Sequence, residues 1–210
     1  MEFRIADTFT ASLARLTGEE QKAVKTTAFD LQMNPASPGM SFHRLDKVKD
    51  KNFWSLRVSS DIRLIVHKSD NSLLLCYVDH HDKAYAWAER RKLETHPTTG
   101  AAQLVEIRET IKEIVIPVYV EEEVKVEKTL LKLFEHVPEN ELMNYGVPRE
   151  WIADVKAATE DTLFVLVEHL PAEAGEALLE LATGGKPGHI QVGYTGADPF
   201  KHPDAQRRFR

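Results

Sequence analysis

The stretch that decides the fold runs from Phe53 to His81 and reads FWSLRVSSDIRLIVHKSDNSLLLCYVDHH. It contains three strand-like apolar runs, at 53–58, 62–66 and 73–78, with the short polar links 59–61 and 69–71 between them. Links this short can join only antiparallel neighbours, because parallel strands need a much longer crossover. The stretch therefore predicts a three-stranded antiparallel meander.

The residues on either side of the meander predict one strand and three helices. Residues 3–5 alternate apolar and polar side chains, which is typical of a strand. Residues 9–16 repeat apolar side chains at helical spacing, and Thr17-Gly18-Glu19-Glu20 is a capping-box sequence that starts a second helix, which ends before Pro35. With a closing helix over 83–92, the first half is predicted to be an α+β fold.

The second half is predicted to be mainly helical. We assign 1–94 to the α+β domain and 95–124 to a linker that contains a helix over 104–111 and an edge strand over 114–120, where Pro117 restricts pairing. Residues 125–184 are predicted to form a small helical region whose last helix ends at Gly184. Glycine, proline and charged residues dominate 185–210, which favours a loose tail.

Charge is distributed unevenly between the halves. Residues 1–95 carry a net charge of +2 and residues 96–210 a net charge of −8. A chain coated for nucleic acid would be more basic, so contact with RNA is expected to be local. The single cysteine, Cys76, can form no internal disulfide, and no stretch approaches the roughly 18 apolar residues of a membrane span. We therefore expect a cytoplasmic protein without membrane contact.

The runs Trp54-Ser55-Leu56-Arg57-Val58, Ile62-Arg63-Leu64-Ile65 and His80-His81 resemble the RelE/ParE toxin superfamily, and its YoeB-like branch in particular. The resemblance covers roughly residues 1–92. It implies the order strand, two helices, three strands and a closing helix. It also implies a metal-independent endoribonuclease that acts on mRNA, free or on the ribosome, without a cofactor, and an antitoxin as a partner.

The same resemblance implies roles for individual residues. His81 matches the terminal-strand histidine and would be the general acid, since an imidazole titrates near neutral pH. Arg63 matches the phosphate-binding arginine, and Tyr85 would contact the phosphate or stack on a base. The general base is open between His43, Asp82 and no residue at all. The superfamily's lysine pair is missing, and Asp82 stands where the branch has a tyrosine.

Four basic residues in this region are candidates for binding nucleic acid: Arg57, Lys47, Lys49 and Lys51. Aspartates are interleaved with the lysines, so a solvated loop is the competing interpretation. Arg63 as an ion-paired strand residue and the histidine pair as a helix cap are equally open. Adjacent histidines diverge and no third ligand stands at a usual spacing, so no metal site is predicted.

Residues 148–152, 169–174, 178–184 and 198–210 are similar to the region that joins a RelE-like domain to the motor of bacterial UvrD/Rep-like helicases. This resemblance implies a helicase motor in the same polypeptide or as a partner protein. The run Gly184-Gly185-Lys186-Pro187-Gly188 lacks the spacing of a phosphate-binding loop, so the sequence has no ATPase motif of that kind.

Two functions follow from the sequence. One is a non-catalytic module that binds nucleic acid or protein and regulates an attached motor. The other is a toxin-like endoribonuclease with His81, Arg63 and Tyr85 at its site. Weak basicity, the missing lysines and the open choice of base favour the first.

Overall fold

The computed structural model describes residues 2–34, 42–111, 131–188 and 195–209. The chain divides into two compact units. The first unit comprises Met1–Leu93 together with Pro203–Arg210, and the second comprises Glu94–His202.

The first unit is built on a five-stranded sheet in the order β1-β5-β4-β3-β2. Its strands are β1 (Glu2–Ile5), β2 (Phe42–Arg44), β3 (Phe53–Arg57), β4 (Ile62–Lys68) and β5 (Ser72–His80). Neighbours from β2 to β5 pair antiparallel, whereas β1 lies parallel to β5. The predicted meander and the α+β class are thus confirmed.

Two helices separate β1 from β2 and pack with one face of the sheet. They are α1 (Asp7–Leu13) and α2 (Gly18–Met33). The predicted capping box is present, because Thr17 accepts from the Glu20 amide while the Glu20 carboxylate accepts from the Thr17 amide. Alternate strand residues and the inner helix faces form one buried core, which includes Phe9, Leu16, Val24, Leu31, Leu56, Ile62, Leu64, Val66, Leu75 and Val78.

A third helix, α3 (His81–Glu89), packs with the other side of the meander through aromatic contacts. Tyr77 of β5 stacks on Trp87 of α3 with ring centroids 4.7 Å apart and an interplanar angle of 5°. The helix was predicted over 83–92. It begins and ends earlier, because Arg91 and Lys92 belong to strand β6 (Arg91–Thr95).

The last residues differ from the loose tail expected over 185–210. They form α8 (Pro203–Gln206), and Phe209, which is 4% exposed, makes a bridge to Ala6 at the end of β1. The Asp7 amide also donates to the Arg208 carbonyl at 2.8 Å. Burial of one aromatic ring and these backbone pairs outweigh a composition rich in charged residues.

Strands β6 and β7 (Ala102–Glu106) form a two-stranded sheet, and the second unit begins within β6, at Glu94. A 3₁₀ turn at Arg108–Thr110 follows β7. Sequence predicted a helix over 104–111. Tertiary hydrogen bonds favour the extended backbone instead, because Gln103 donates to the Gly146 carbonyl and the Trp151 indole donates to the Glu106 carbonyl. The strand predicted over 114–120 lies outside the described residues.

The segment 95–100, predicted to be a linker, is a turn built around a buried imidazole. His96 is fully buried, its Nδ1 accepts from the Thr98 and Thr99 amides, and its Nε2 donates to the Val147 carbonyl at 3.1 Å. Burial lowers the pKa of His96, which keeps the ring neutral. Gly100 closes the turn with a φ of 77°, a value that glycine adopts without strain.

Short helices enclose the core of the second unit, in agreement with the mainly helical region that the sequence predicts. They are α4 (Glu139–Asn144), α5 (Ile152–Ala157), α6 (Glu160–Val167) and α7 (Ala172–Ala182). The fully buried Trp151 lies in the cluster at their centre. In the ranges that the structure describes, no helix combines the length and apolarity needed to cross a membrane.

Candidate functional site

The predicted histidine and tyrosine meet where β5 passes directly into α3. His81 is the first residue of the helix and Tyr85 lies one turn later, on the same helix face. Their rings are in edge contact with centroids 4.3 Å apart. His81 Nδ1 lies 2.9 Å from the Asp82 carboxylate, and the His81 side chain is 46% exposed, so solvent reaches it.

These residues line an open cleft of about 490 Å³ on the first unit, which we call the His81 cleft. The structure brings four predicted residues together in it, namely Lys47, His81, Asp82 and Tyr85. The complete lining is Arg44, Leu45, Asp46, Lys47, Val48, His81, Asp82, Tyr85, Ala86 and Glu89. Its three carboxylates outnumber its two permanent cations, so the cleft has a net charge of −1 when His81 is neutral.

Arg63, the predicted phosphate ligand, does not belong to the lining of this cleft. It lies on β4, directly opposite Arg57 of β3 and Asp79 of β5. Its guanidinium donates to the carbonyls of Ser59, Ser60 and Ile62 in the β3–β4 turn. Arg57 donates to the same Ser59 carbonyl at 3.0 Å, so the two guanidinium groups converge on one oxygen.

The other predicted residues are placed separately. His43 is exposed on edge strand β2, opposite Ser55, and is not part of the His81 cleft lining. The loop between β2 and β3 carries the three candidate lysines, all exposed. Lys51 donates to the Asp46 carbonyl at 2.7 Å. Lys47 alone of these lysines lines the His81 cleft.

This lysine-bearing loop is anchored by a buried carboxylate. Asp50 accepts from the Asn52 and Leu93 amides, and its Oδ2 lies 3.3 Å from His67 Nε2. Burial opposes ionisation of Asp50, yet the adjacent His67 ring and the hydrogen bonds from the Leu93 and Asn52 amides hold its pKa below the ordinary value. The carboxylate is therefore ionised at neutral pH, and it fixes the loop beside the sheet.

A second histidine stands next to the site but has a separate partner. His80 Nδ1 lies 2.6 Å from Asp61 Oδ2, in a solvent-exposed pair. The hydrogen bond to Asp61 raises the pKa of His80, and the same bond lowers the pKa of Asp61. Any pH dependence measured at this site therefore includes the titration of His80, whose carboxylate partner is Asp61.

Sequence reasoning missed a second cleft, of about 350 Å³, which we call the Trp54 cleft. Its lining is Arg44, Lys51, Asn52, Trp54, Lys68, Ser69 and Asp70. The Lys68 ammonium lies 5.5 Å from the Trp54 ring centre and 5.7 Å from that of Phe42. The hairpin register places Lys68 diagonally across from Trp54 on the same sheet face, and no local sequence pattern marks that register.

Metal ligation has no support within the described parts of the chain. No three histidine, cysteine, aspartate or glutamate side chains among them converge as metal ligands would. The single thiol, Cys76, is fully buried in β5, and burial raises its pKa. It is therefore a core residue and not a reactive group of either cleft.

No family model matches the chain, and no curated protein matches it. Among solved structures, a RelB–RelE antitoxin–toxin complex from Methanococcus jannaschii aligns at 16% identity and a TM-score of 0.34, covering 41% of this chain and 98% of that one. The RelBE2 toxin–antitoxin complex from Mycobacterium tuberculosis aligns at 24% identity and a TM-score of 0.31, covering 38% and 96% respectively.

A YoeB/ParE toxin from Agrobacterium tumefaciens aligns at 14% identity with a TM-score of 0.32, over 39% of this chain and 99% of that one. The likeness thus concerns about two fifths of the chain. TM-scores this low do not establish a family. A function for the first unit must therefore be inferred from the His81 cleft, the Trp54 cleft and the Arg57–Arg63 pair.

Proposed function

We propose that the first unit is a regulatory module that binds nucleic acid without cleaving it. One observation carries this proposal: the histidine and the paired arginines lie in different places. His81 lines a cleft with an excess of carboxylates, and the guanidinium groups of Arg57 and Arg63 converge on Ser59, which is not among the lining residues.

Metal-independent RNA cleavage needs an acid and a cation at the same phosphate, because negative charge builds up on that phosphate in the transition state. In the His81 cleft, Asp46, Asp82 and Glu89 would repel the phosphate instead. This arrangement disfavours catalysis.

Binding is supported by the arginine pair. Arg57 and Arg63 occupy directly opposed positions on β3 and β4, where like charges repel each other, and the one carboxylate directly opposite Arg63 on β5, Asp79, faces two guanidinium groups. A phosphate between the two guanidinium groups would relieve that repulsion and accept charge-assisted hydrogen bonds from both. A nucleic acid is favoured over a protein at this place because its backbone supplies such phosphates at regular intervals.

A toxin-like endoribonuclease is the second candidate, and the geometry of His81 favours it. The Asp82 carboxylate accepts from Nδ1–H of the ring, so proton transfer to RNA would fall to Nε2. Tyr85, in contact with the same ring, would then orient the phosphate or stack on a base.

One experiment decides between the two functions. Wild type, His81→Gln and the control His80→Gln are incubated with 5′-labelled mRNA, free and on ribosomes, and both bound RNA and products are measured. We expect binding by all three proteins and cleavage products from none. Products from wild type and His80→Gln that fall roughly 10²- to 10⁴-fold with His81→Gln would establish the endoribonuclease instead.

We further propose that this module regulates a UvrD/Rep-like helicase motor, in the same polypeptide or as a partner. The similarity of residues 148–152, 169–174, 178–184 and 198–210 to the region before such a motor supports this proposal. The DNA that follows codon 210 tests this proposal. An open frame encoding Gly-xxxx-Gly-Lys-Thr is the expected result. A stop codon beside a small antitoxin-like frame would favour a toxin.

An exposed apolar pair on α2 supports the proposal of an antitoxin or another protein as a partner. Phe29 and Met33 lie one turn apart on α2 and are 60% and 70% exposed. A partner that covers this apolar pair would bind more weakly after Phe29→Ser. Unchanged binding of such a partner would place its contact elsewhere.

A further inference from the structure

We infer that the Trp54 cleft binds one nucleotide of a single-stranded nucleic acid, with the base stacked on Trp54 and the phosphate held by Arg44, Lys51 and Lys68. The inference rests on the proposed nucleic-acid-binding function and assigns a site to it. This site lies apart from His81 and from the arginine pair.

Trp54 supplies an aromatic ring to the lining of this cleft. It is only half-buried, whereas Trp87 and Trp151 are 6% and 0% exposed and belong to packed cores. Phe42 meets the indole edge-on, with an interplanar angle of 82°, and this contact holds the plane of the indole. A large aromatic ring at an open cleft is a stacking platform that any base can use.

The Trp54 cleft also has an excess of cationic side chains. Arg44, Lys51 and Lys68 line the cleft together with one carboxylate, Asp70, so its net charge is +2. Asp70 opposes an anion, but the three cations outnumber it. Backbone phosphates are the anions that accompany a stacked base, so aromatic and cationic groups at one cleft fit a nucleotide.

Lys68 is one of the cations of the cleft and also contacts its aromatic rings. Its ammonium lies over the rings of both Phe42 and Trp54. A base that stacks on Trp54 would replace this cation–π contact, and the ammonium would then pair with the adjacent phosphate. At about 350 Å³, the cleft falls within the range of small-ligand sites.

A free nucleotide and a strand share the chemistry of base and phosphate, and the observations favour the strand. Lys49 is a further exposed cation on the loop that carries Lys51, so cationic groups are present beyond one nucleotide. A strand gains affinity from each further phosphate that it places near a cation, whereas uridine monophosphate has only one.

The experiment uses the full chain with three probes: a uridine octanucleotide, the same octamer without bases, and uridine monophosphate. Binding is measured by fluorescence anisotropy and by quenching of tryptophan fluorescence. The variants are Trp54→Ala, Trp54→Phe, Lys68→Met and the control Lys25→Met, which alters an exposed lysine on α2. Thermal melts establish that each variant is folded.

We expect the octanucleotide to quench wild-type fluorescence and Trp54→Ala to lose roughly 5- to 150-fold in affinity, while Trp54→Phe retains most of it. Lys68→Met should reduce the salt dependence of log K by about 0.7 and remain folded because Lys68 is exposed. Lys25→Met should match wild type. The octamer without bases should bind more weakly than the uridine octamer.

Binding by wild type that Trp54→Ala and Lys68→Met both leave unchanged would overturn this inference and leave the proposed function intact. No binding of the octanucleotide by wild type would overturn the proposed function itself. Equal affinity for uridine monophosphate and the octanucleotide would overturn the assignment to a strand.

Discussion

The His81 cleft and the Trp54 cleft share Arg44, yet they differ in charge and in aromatic content. The first combines a histidine and a tyrosine with three carboxylates and two permanent cations. The second combines an indole with three cations and one carboxylate. Residues suited to proton transfer are thus separated from residues suited to holding a phosphate, which favours binding over cleavage on this surface.

The two tryptophans of the first unit, Trp87 and Trp54, differ in burial. Trp87 is buried between the sheet and α3, where it stacks on Tyr77, contacts Phe53 edge-on and lies under the Arg91 guanidinium. Trp54 is half-buried beside an open cleft. One ring is expected to stabilise the fold, and the other to bind a ligand.

The largest predicted effect is on stability. Trp87→Ala should lower the free energy of unfolding by about 3–5 kcal/mol, because it removes a buried aromatic ring and leaves a cavity. Trp54→Ala should cost less, since its ring is partly solvated in the folded state. Urea denaturation of both variants measures the difference, and equal losses would contradict the distinction between a structural and a ligand-binding tryptophan.

The second prediction concerns substitutions that reverse the net charge of the His81 cleft. Replacing Asp46, Asp82 and Glu89 by their amides changes its net charge from −1 to +2 and should raise affinity for RNA roughly 3- to 30-fold at low salt. The matched control neutralises Glu160, Glu168 and Glu176, exposed carboxylates of the second unit. An equal gain in the control would show that total charge, and not this cleft, sets the affinity.

The smallest predicted effect concerns pH and distinguishes His80 from His81. Asp61→Asn should lower the pKa of His80 towards about 6.5, because the hydrogen bond that raises it is lost. In wild type the pair stabilises the fold below the unfolded histidine pKa, and this contribution disappears as pH rises through the raised folded pKa. At low pH it disappears as Asp61 protonates through its lowered pKa.

NMR titration of the histidine ring protons measures the His80 shift, with His80→Gln assigning the resonance. A titration midpoint of His80 that does not move in Asp61→Asn would rule out the hydrogen bond as the cause.

The features that the sequence predicted correctly depend on neighbours along the chain. Link lengths determine the meander around Arg63, the capping box fixes the start of α2, and helical spacing brings Tyr85 to His81. Gly184, with a φ of 81°, lies just beyond the last helix of the second unit, as predicted.

The features that the sequence did not predict depend on contacts between distant residues. His96 is buried because it donates to Val147, which lies 51 residues away along the chain. Phe209 pairs with Ala6 at the opposite end of the sequence. The Trp54 cleft needs a hairpin register that brings Lys68 across from Trp54, and no local pattern marks such a register.

The central claim is that nucleic acid binds at the Trp54 cleft and not at the His81 cleft, and photo-crosslinking tests it directly. A uridine octanucleotide that contains 4-thiouridine is irradiated with the full chain, and the crosslinked tryptic peptides are identified by mass spectrometry. We predict crosslinks on the peptide 52–57, which contains Trp54. Crosslinks confined to the peptide 84–90, which contains Tyr85, would contradict the claim.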